Sequence, residues 1–137
     1  MNNDLLLDTD ILIDAGRGNH NAVVLLNSLM AQNNVRLSAV TEMELVVGCR
    51  NKNELRELNH FLEQFTIIPV NPEISTTSIK LLKTYRLSHG LLIADSIIAA
   101  TALVSRRTLV SGNAKHFSMI KDLLLRTRDE SSLTTPV

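Results

Sequence analysis

The run Leu5-Leu6-Leu7, ending abruptly at Asp8, constrains this chain more than any other stretch. A short apolar run with no polar side suits a strand covered on both faces, as in a parallel sheet. Asp8 then falls at the carboxyl end of that strand. In open α/β sheets, ligands bind in the crevice outside those ends. Ile11, Leu12 and Ile13 are apolar again, so the chain is expected to turn at Asp8-Thr9-Asp10 and enter a short helix. Two readings of the turn stand side by side. Two acids flanking a hydroxyl can offer oxygen ligands to a hard cation. Alternatively, Asp8 only ends the strand, and Thr9 or Asp10 caps the helix.

Beyond this stretch, helical and strand patterns alternate. Val23, Leu26 and Met30, widened by Leu25 and Leu29, predict a helix over 21–31. A short strand is expected over 35–38, then helices over 41–49 and around Leu55, Leu58, Leu62 and Phe65. Ile67-Ile68-Pro69-Val70 reads as a strand, with the proline marking its end or a sheet edge. Asn71-Pro72 is a helix start, cap followed by proline, and Gly90 is its stop. The span 94–104 is so apolar that it must lie against the sheet. A strand at 108–110, a turn at 111–113 and a last strand at 123–125 complete the pattern, leaving 126–137 as a polar tail expected to fray. Strand and helix in alternation predict an α/β protein, a three-layer α/β/α sandwich on a central, mostly parallel sheet. The length of 137 residues suits one domain, set at 1–125.

Charge argues against nucleic acid on bulk electrostatics. Fourteen basic and fourteen acidic residues give a net charge of zero, whereas a basic domain is the usual footprint of a nucleic-acid binder. Arg17, Lys52, Arg106, Arg107 and Lys115 are candidate RNA contacts near element ends, but form no stripe. With no Trp, one Tyr and three Phe, a stacking platform for bases is not expected. One cysteine, Cys49, excludes an intrachain disulfide and reads as a small buried hydrophobe. No signal-peptide pattern opens the chain and no apolar run approaches membrane-spanning length, so a cytoplasmic protein without a membrane partner is expected.

Three more segments carry polar groups where apolar residues dominate. Asp95 lies within Leu91-Leu92-Ile93-Ala94-Asp95-Ser96-Ile97-Ile98. An acid there is costly to bury without a partner or a metal. A mere contribution to the helix N-terminus, worth about 0.3–1 kcal/mol, needs no such surroundings. Thr41 and Glu44 are spaced as a capping box, which by itself explains both. The same spacing puts Glu44 just after a strand, in the architectural position of Asp95. Asn113 and His116 follow the strand at 108–110. Asn113 reads as a turn residue or cap of a short helix, and His116 as a surface residue, a metal ligand or an acid–base group.

Together, the segments Leu6–Ile13, Ser38–Gly48, Ala94–Ala102 and Leu109–Phe117 resemble the PIN-domain family, in particular the VapC-type ribonuclease toxins of bacterial toxin–antitoxin systems. The segments occur in the family's order and spacing and span nearly the whole chain. The resemblance implies a three-layer nuclease fold that gathers acids around Mg²⁺ or Mn²⁺ and cuts RNA. It carries the first family acid to Asp8, the glutamate to Glu44 and the helix-start aspartate to Asp95, all three as metal ligands and catalytic residues. Asn113 stands where some members have a fourth acid and is assigned to position a water or a phosphate. Thr9, Asp10 and His116 are accessory. The resemblance also implies a homodimer and a small antitoxin whose tail plugs the acidic groove.

Two departures stand out. Asp10 replaces a common Asn, and Asn113 with His116 leaves the fourth segment without an acid. Imidazole is a poor substitute for carboxylate toward Mg²⁺ and suits softer transition metals better. Three carboxylates about 5 Å apart would repel by roughly 3 kcal/mol per pair at an effective dielectric near 20, so a cation or a proton is required among them. Two other readings are a degenerate PIN-like module that binds RNA or protein without cutting, and a haloacid-dehalogenase-type phosphatase with Asp8 as nucleophile and Asp10 as acid–base.

Overall fold

The computed structural model describes residues 3–128. Five strands form one sheet: β1 (Asp4–Leu7), β2 (Asn34–Ser38), β3 (Thr66–Ile68), β4 (Thr108–Ser111) and β5 (Leu125–Thr127). Their order is β3-β2-β1-β4-β5, and every pairing is parallel. Six α-helices connect them: α1 (Thr9–Gly16), α2 (His20–Gln32), α3 (Ala39–Val47), α4 (Lys52–Leu62), α5 (Pro72–His89) and α6 (Ile93–Ser105).

The leucine run explains the layering. Successive side chains in a strand point to opposite faces. Leu5 and Leu7 enter a core with Leu12, Leu25 and Leu29 of α1 and α2 and Leu62 of α4. Leu6 enters the other core, with Ile74 and Leu81 of α5 and Ile98, Ala99 and Ala102 of α6. All three leucines are fully buried, as a central strand covered on both faces requires. Small residues on α6 (Ala99, Ala100, Ala102) bring that helix close to the sheet. The strand order reverses between β1 and β4, so the crevice at their carboxyl ends lies at a topological switch point.

Several element ends follow their sequence signals. Asn71 caps α5, its side chain accepting from the Ile74 amide at 2.8 Å, with Pro72 in the first turn. Gly90 ends the helix in the left-handed region, φ +70°, where a glycine carries no Cβ penalty. β3 is an edge strand, and Pro69 follows it directly.

Other expectations change. The cap of α1 is Asp8 itself, not Thr9 or Asp10, since Asp8 Oδ1 accepts from the Thr9 amide at 2.9 Å. The cap of α3 is Ser38, not Thr41. The helix starts with no loop after β2, so Thr41 is already helical and Glu44 lies a turn deeper than a capping box would place it. The last strand is 125–127 rather than 123–125, because β5 pairs in register with Leu109–Ser111. Arg126 and Thr127 therefore belong to the sheet rather than to a tail; 129–137 lies outside the described residues. Cys49 is only half-buried, just beyond α3, with its thiol against the Leu45 carbonyl.

Candidate active site

Asp8 leaves β1 at the switch point, and its amide donates to the Val110 carbonyl at 2.9 Å. This bond continues the β1–β4 ladder by one residue and seats the carboxylate next to the end of β4. There Ser111, fully buried, donates its hydroxyl to Asp8 Oδ2 at 2.7 Å. The Asn113 amide in turn donates to Ser111 Oγ at 2.9 Å. Asp8 is 6% exposed. Burial pushes its carboxyl up to about 7, opposed by the Ser111 hydroxyl and the Thr9 amide and reinforced by the charges of Asp10 and Asp95.

Asp95 occupies the first turn of α6, as its sequence position predicts. Burial raises its pKa, and the charge of Glu44 adds to the rise. His116 opposes it: Nδ1 lies 3.7 Å from Asp95 Oδ2, an ion pair when the imidazole is protonated.

Glu44 is brought in by a contact that no local pattern shows. Thr9 Oγ1 donates to Glu44 Oε1 at 2.7 Å and lies 3.0 Å from the buried Thr41 Oγ1. Thr41 thus braces the hydroxyl that orients Glu44, where a capping role had been expected. Asp8, Glu44 and Asp95 are close enough for Asp95 to act electrostatically on Asp8 and Glu44 on Asp95. Among the described residues, no three His, Cys, Asp or Glu side chains stand as a ready-made cation cage.

The accessory residues divide. His116 lies against Asp95. Asn113 sits ahead of the short 3₁₀ turn Ala114–His116 without a side-chain cap bond. Asp10 points along α1 to the β4 turn, where its Oδ2 accepts from the Gly112 amide at 3.0 Å. The same oxygen meets Arg128 Nη2 at 3.1 Å, while Arg128 Nη1 reaches Asp14 Oδ2 at 2.7 Å. Asp14 and Arg128 were not singled out from the sequence. Their contact spans more than a hundred residues, and the spacing of Asp10 and Asp14, one helical turn apart, was the only available sign.

Arg107 is corrected from RNA contact to structural residue. It is buried at the opposite end of the sheet and donates from Nη1 to the Leu5 carbonyl at 3.0 Å and the Asn34 carbonyl at 2.9 Å.

A five-stranded parallel sheet between two helical layers, with carboxylates drawn from three elements at its switch point, defines an α/β/α protein with an acidic site. The PIN domain model matches residues 5–123, and the chain belongs to that family. It is similar to Ribonuclease VapC19 of Mycobacterium tuberculosis, at 36% identity over 120 residues, covering 86% of this chain and 95% of the relative. Ribonuclease VapC1 of Methanocaldococcus jannaschii is 30% identical over 128 residues, 92% of this chain and 88% of the relative. Among solved structures, a toxin–antitoxin complex from Klebsiella pneumoniae superposes with a TM-score of 0.74 at 31% identity, covering 90% of this chain and 97% of that one. VapBC2 from Rickettsia felis, bound to a DNA fragment from its promoter, gives a TM-score of 0.75 at 27% identity, with 90% and 98% coverage.

Proposed function

We propose that this protein is a divalent-metal-dependent endoribonuclease and the toxin of a toxin–antitoxin pair. The observation that carries the reading is Asp8: a buried carboxyl held near pKa 7 by burial, at a switch point, with Asp95 and Glu44 nearby. Its relatives named as ribonucleases and its structural neighbours in toxin–antitoxin complexes support it.

The donor set fits a hard cation. Asp8, Glu44 and Asp95 offer carboxylate oxygens, the ligands that Mg²⁺ and Mn²⁺ take, and their mutual repulsion is what a cation would relieve. When bound, the ion would stabilise charge on the phosphodiester and acidify a water. The chain's own residues do the rest. Ser111 and the Thr9 amide hold the two oxygens of Asp8. Thr9 holds Glu44 Oε1, which leaves Oε2 to take the proton of the attacking water as its oxygen bonds to phosphorus. The bond to the 3′-oxygen breaks and that oxygen takes a proton from solvent water, leaving a 5′-phosphate and a 3′-hydroxyl. Asn113 positions the water or the phosphate, and His116 stays beside Asp95.

Incubation of the protein with mixed RNA in Mn²⁺ or Mg²⁺, with chemical analysis of the new ends, tests this. Cleavage that leaves 5′-phosphates and vanishes in Asp8→Asn and Asp95→Asn supports it. Undiminished cutting by Asp95→Asn rules the assignment out. The non-cleaving module draws support from the absence of a preassembled cage among the described residues and from Asn113 and His116 in the fourth segment; it predicts no Mn²⁺ binding.

The partners follow from the same reading. A groove of about 890 Å³ between α1, α2, α3 and α4 is walled by Leu12, Leu26, Leu45 and Phe61 and reaches Glu44, a seat for an antitoxin next to the acids. Met43 and Val47 on α3 and Ile93 on α6 are exposed apolar side chains on two helices in contact, a homodimer face. Light scattering on Val47→Asp, expected to be monomeric, tests that face. No described helix is long and apolar enough to cross a membrane, and we assign the protein to the cytoplasm.

A further inference from the structure

The bridge between Arg128, Asp10 and Asp14 has no place in the mechanism, yet it borders the site. Arg128 lies five residues past the end of the stretch matched by the family model. Its guanidinium shares Asp10 Oδ2 with the Gly112 amide, and Gly112 follows Ser111, which holds Asp8. The packing there is tight. A Cβ on Gly112 would collide with Asp10 Oδ2 and lie 3.2 Å from Arg128 Nε and Nη2. Only a glycine lets the strand end approach the bridge. The side chains of Arg128, Asp10 and Asp14 are 27%, 22% and 34% exposed, so the charges are partly shielded from water. On its other side the bridge borders a cavity of about 510 Å³ that Asn113 also lines.

Asp10 is this chain's extra acid, and its charge acts on Asp8. An uncompensated charge there would draw a cation more tightly and would load the site with repulsion when empty. A guanidinium gripping two carboxylates is suited to cancel it in a fixed geometry.

We propose that Arg128 is a positioning residue of the site: it cancels the charge of Asp10 beside the cation-binding acids. This rests on the reading of Asp8, Glu44 and Asp95 as cation ligands.

The test is calorimetric titration of the full-length, metal-free protein with Mn²⁺ alone, so no RNA substrate is needed. Arg128→Gln keeps a polar, uncharged end on a shorter side chain and loses the charge. It should tighten Mn²⁺ binding by about threefold to tenfold, the scale of one partly shielded unit charge. Asp10→Asn/Arg128→Gln removes the pair together and should return to within about twofold of wild type, since the net charge at the site is restored. Arg128→Lys keeps the charge and should also stay within about twofold, which separates charge from packing. Unchanged or weaker binding by Arg128→Gln overturns the inference, as does a double variant as altered as the single one. Asp8→Asn runs alongside. If it binds Mn²⁺ like wild type, the cation reading itself fails and the inference with it. If Asp8→Asn loses binding but the Arg128 series does not move, only the inference fails.

Discussion

Asp8 and Arg107 lie at opposite ends of the same sheet and are equally hidden from water, each 6% exposed. Burial displaces both pKa values toward the neutral form, Asp8 upward and Arg107 downward. Their surroundings differ. Arg107 donates from Nη1 to the Leu5 and Asn34 carbonyls at the amino ends of β1 and β2, and the like charge of Arg36 is opposed by the acid Asp4. Asp8 has two donors, the Ser111 hydroxyl and the Thr9 amide, but also feels the like charges of Asp10 and Asp95. One buried charge is answered and holds the fold together. The other is left partly unanswered, as is typical of functional sites.

The largest effect should come from the unanswered end. Asp95→Asn is expected to lower RNA cleavage by about a thousandfold, comparable to losing a major charge-stabilising group in a catalytic site, while circular dichroism stays unchanged. If stability collapses instead, the comparison is wrong and Asp95 is structural. Next comes Arg107→Leu. It strands one buried and one part-buried carbonyl and should cost about 3 kcal/mol in urea unfolding, with cleavage per folded molecule unchanged. A loss of RNA affinity without a loss of stability would return Arg107 to the RNA-binding surface.

Third is the pH dependence of the metal-free protein. The folded-state pKa of Asp8, about 7, lies above its ordinary 3.8. The folded chain therefore holds this proton more tightly than the unfolded one. The contribution is fully present below pH 3.8 and is lost as pH rises toward 7. At about 1.4 kcal/mol per pH unit the ceiling is roughly 4 kcal/mol, and about 2 kcal/mol is expected after relaxation of a coupled site. Asp8→Asn should be the more stable protein at pH 7.5 in chelator, with the advantage vanishing near pH 4. An Asp8→Asn that is less stable throughout would mean the carboxylate is well satisfied, as Arg107 is. Smallest is Ser111→Ala, which removes one of Asp8's two donors. It should cost about 1 kcal/mol of stability, and NMR titration should find the Asp8 pKa higher still.

How much of this was legible in the sequence depended on how local each signal was. The β1 run, Asp8 at its end, Asp95 in a first helical turn and the Asn71-Pro72 start are all written in neighbouring residues, and the structure keeps them. The Thr41–Glu44 spacing misled because Ser38, the last residue of β2, caps α3 directly; Glu44 is instead held by Thr9, thirty-five residues away. Arg107 looked like a surface cation because charge at a strand start is usually solvated. Only the parallel pairing of β1 with β2 and β4 reveals the carbonyls it answers. Arg128 fell in what read as a tail, since a three-residue edge strand carries too little pattern to be recognised.

The junctions at the site's edge also limit how this chain can change in length. A single residue, Asp8, separates β1 from α1, and none separates β2 from α3. One residue inserted at either junction would turn the following helix by about 100°. It would swing Thr9, Asp10 and Asp14, or Thr41 and Glu44, away from their partners. Insertions and deletions are therefore expected to collect in longer connections built of exposed residues, such as 17–19, leaving these two junctions as fixed-length parts of the molecule.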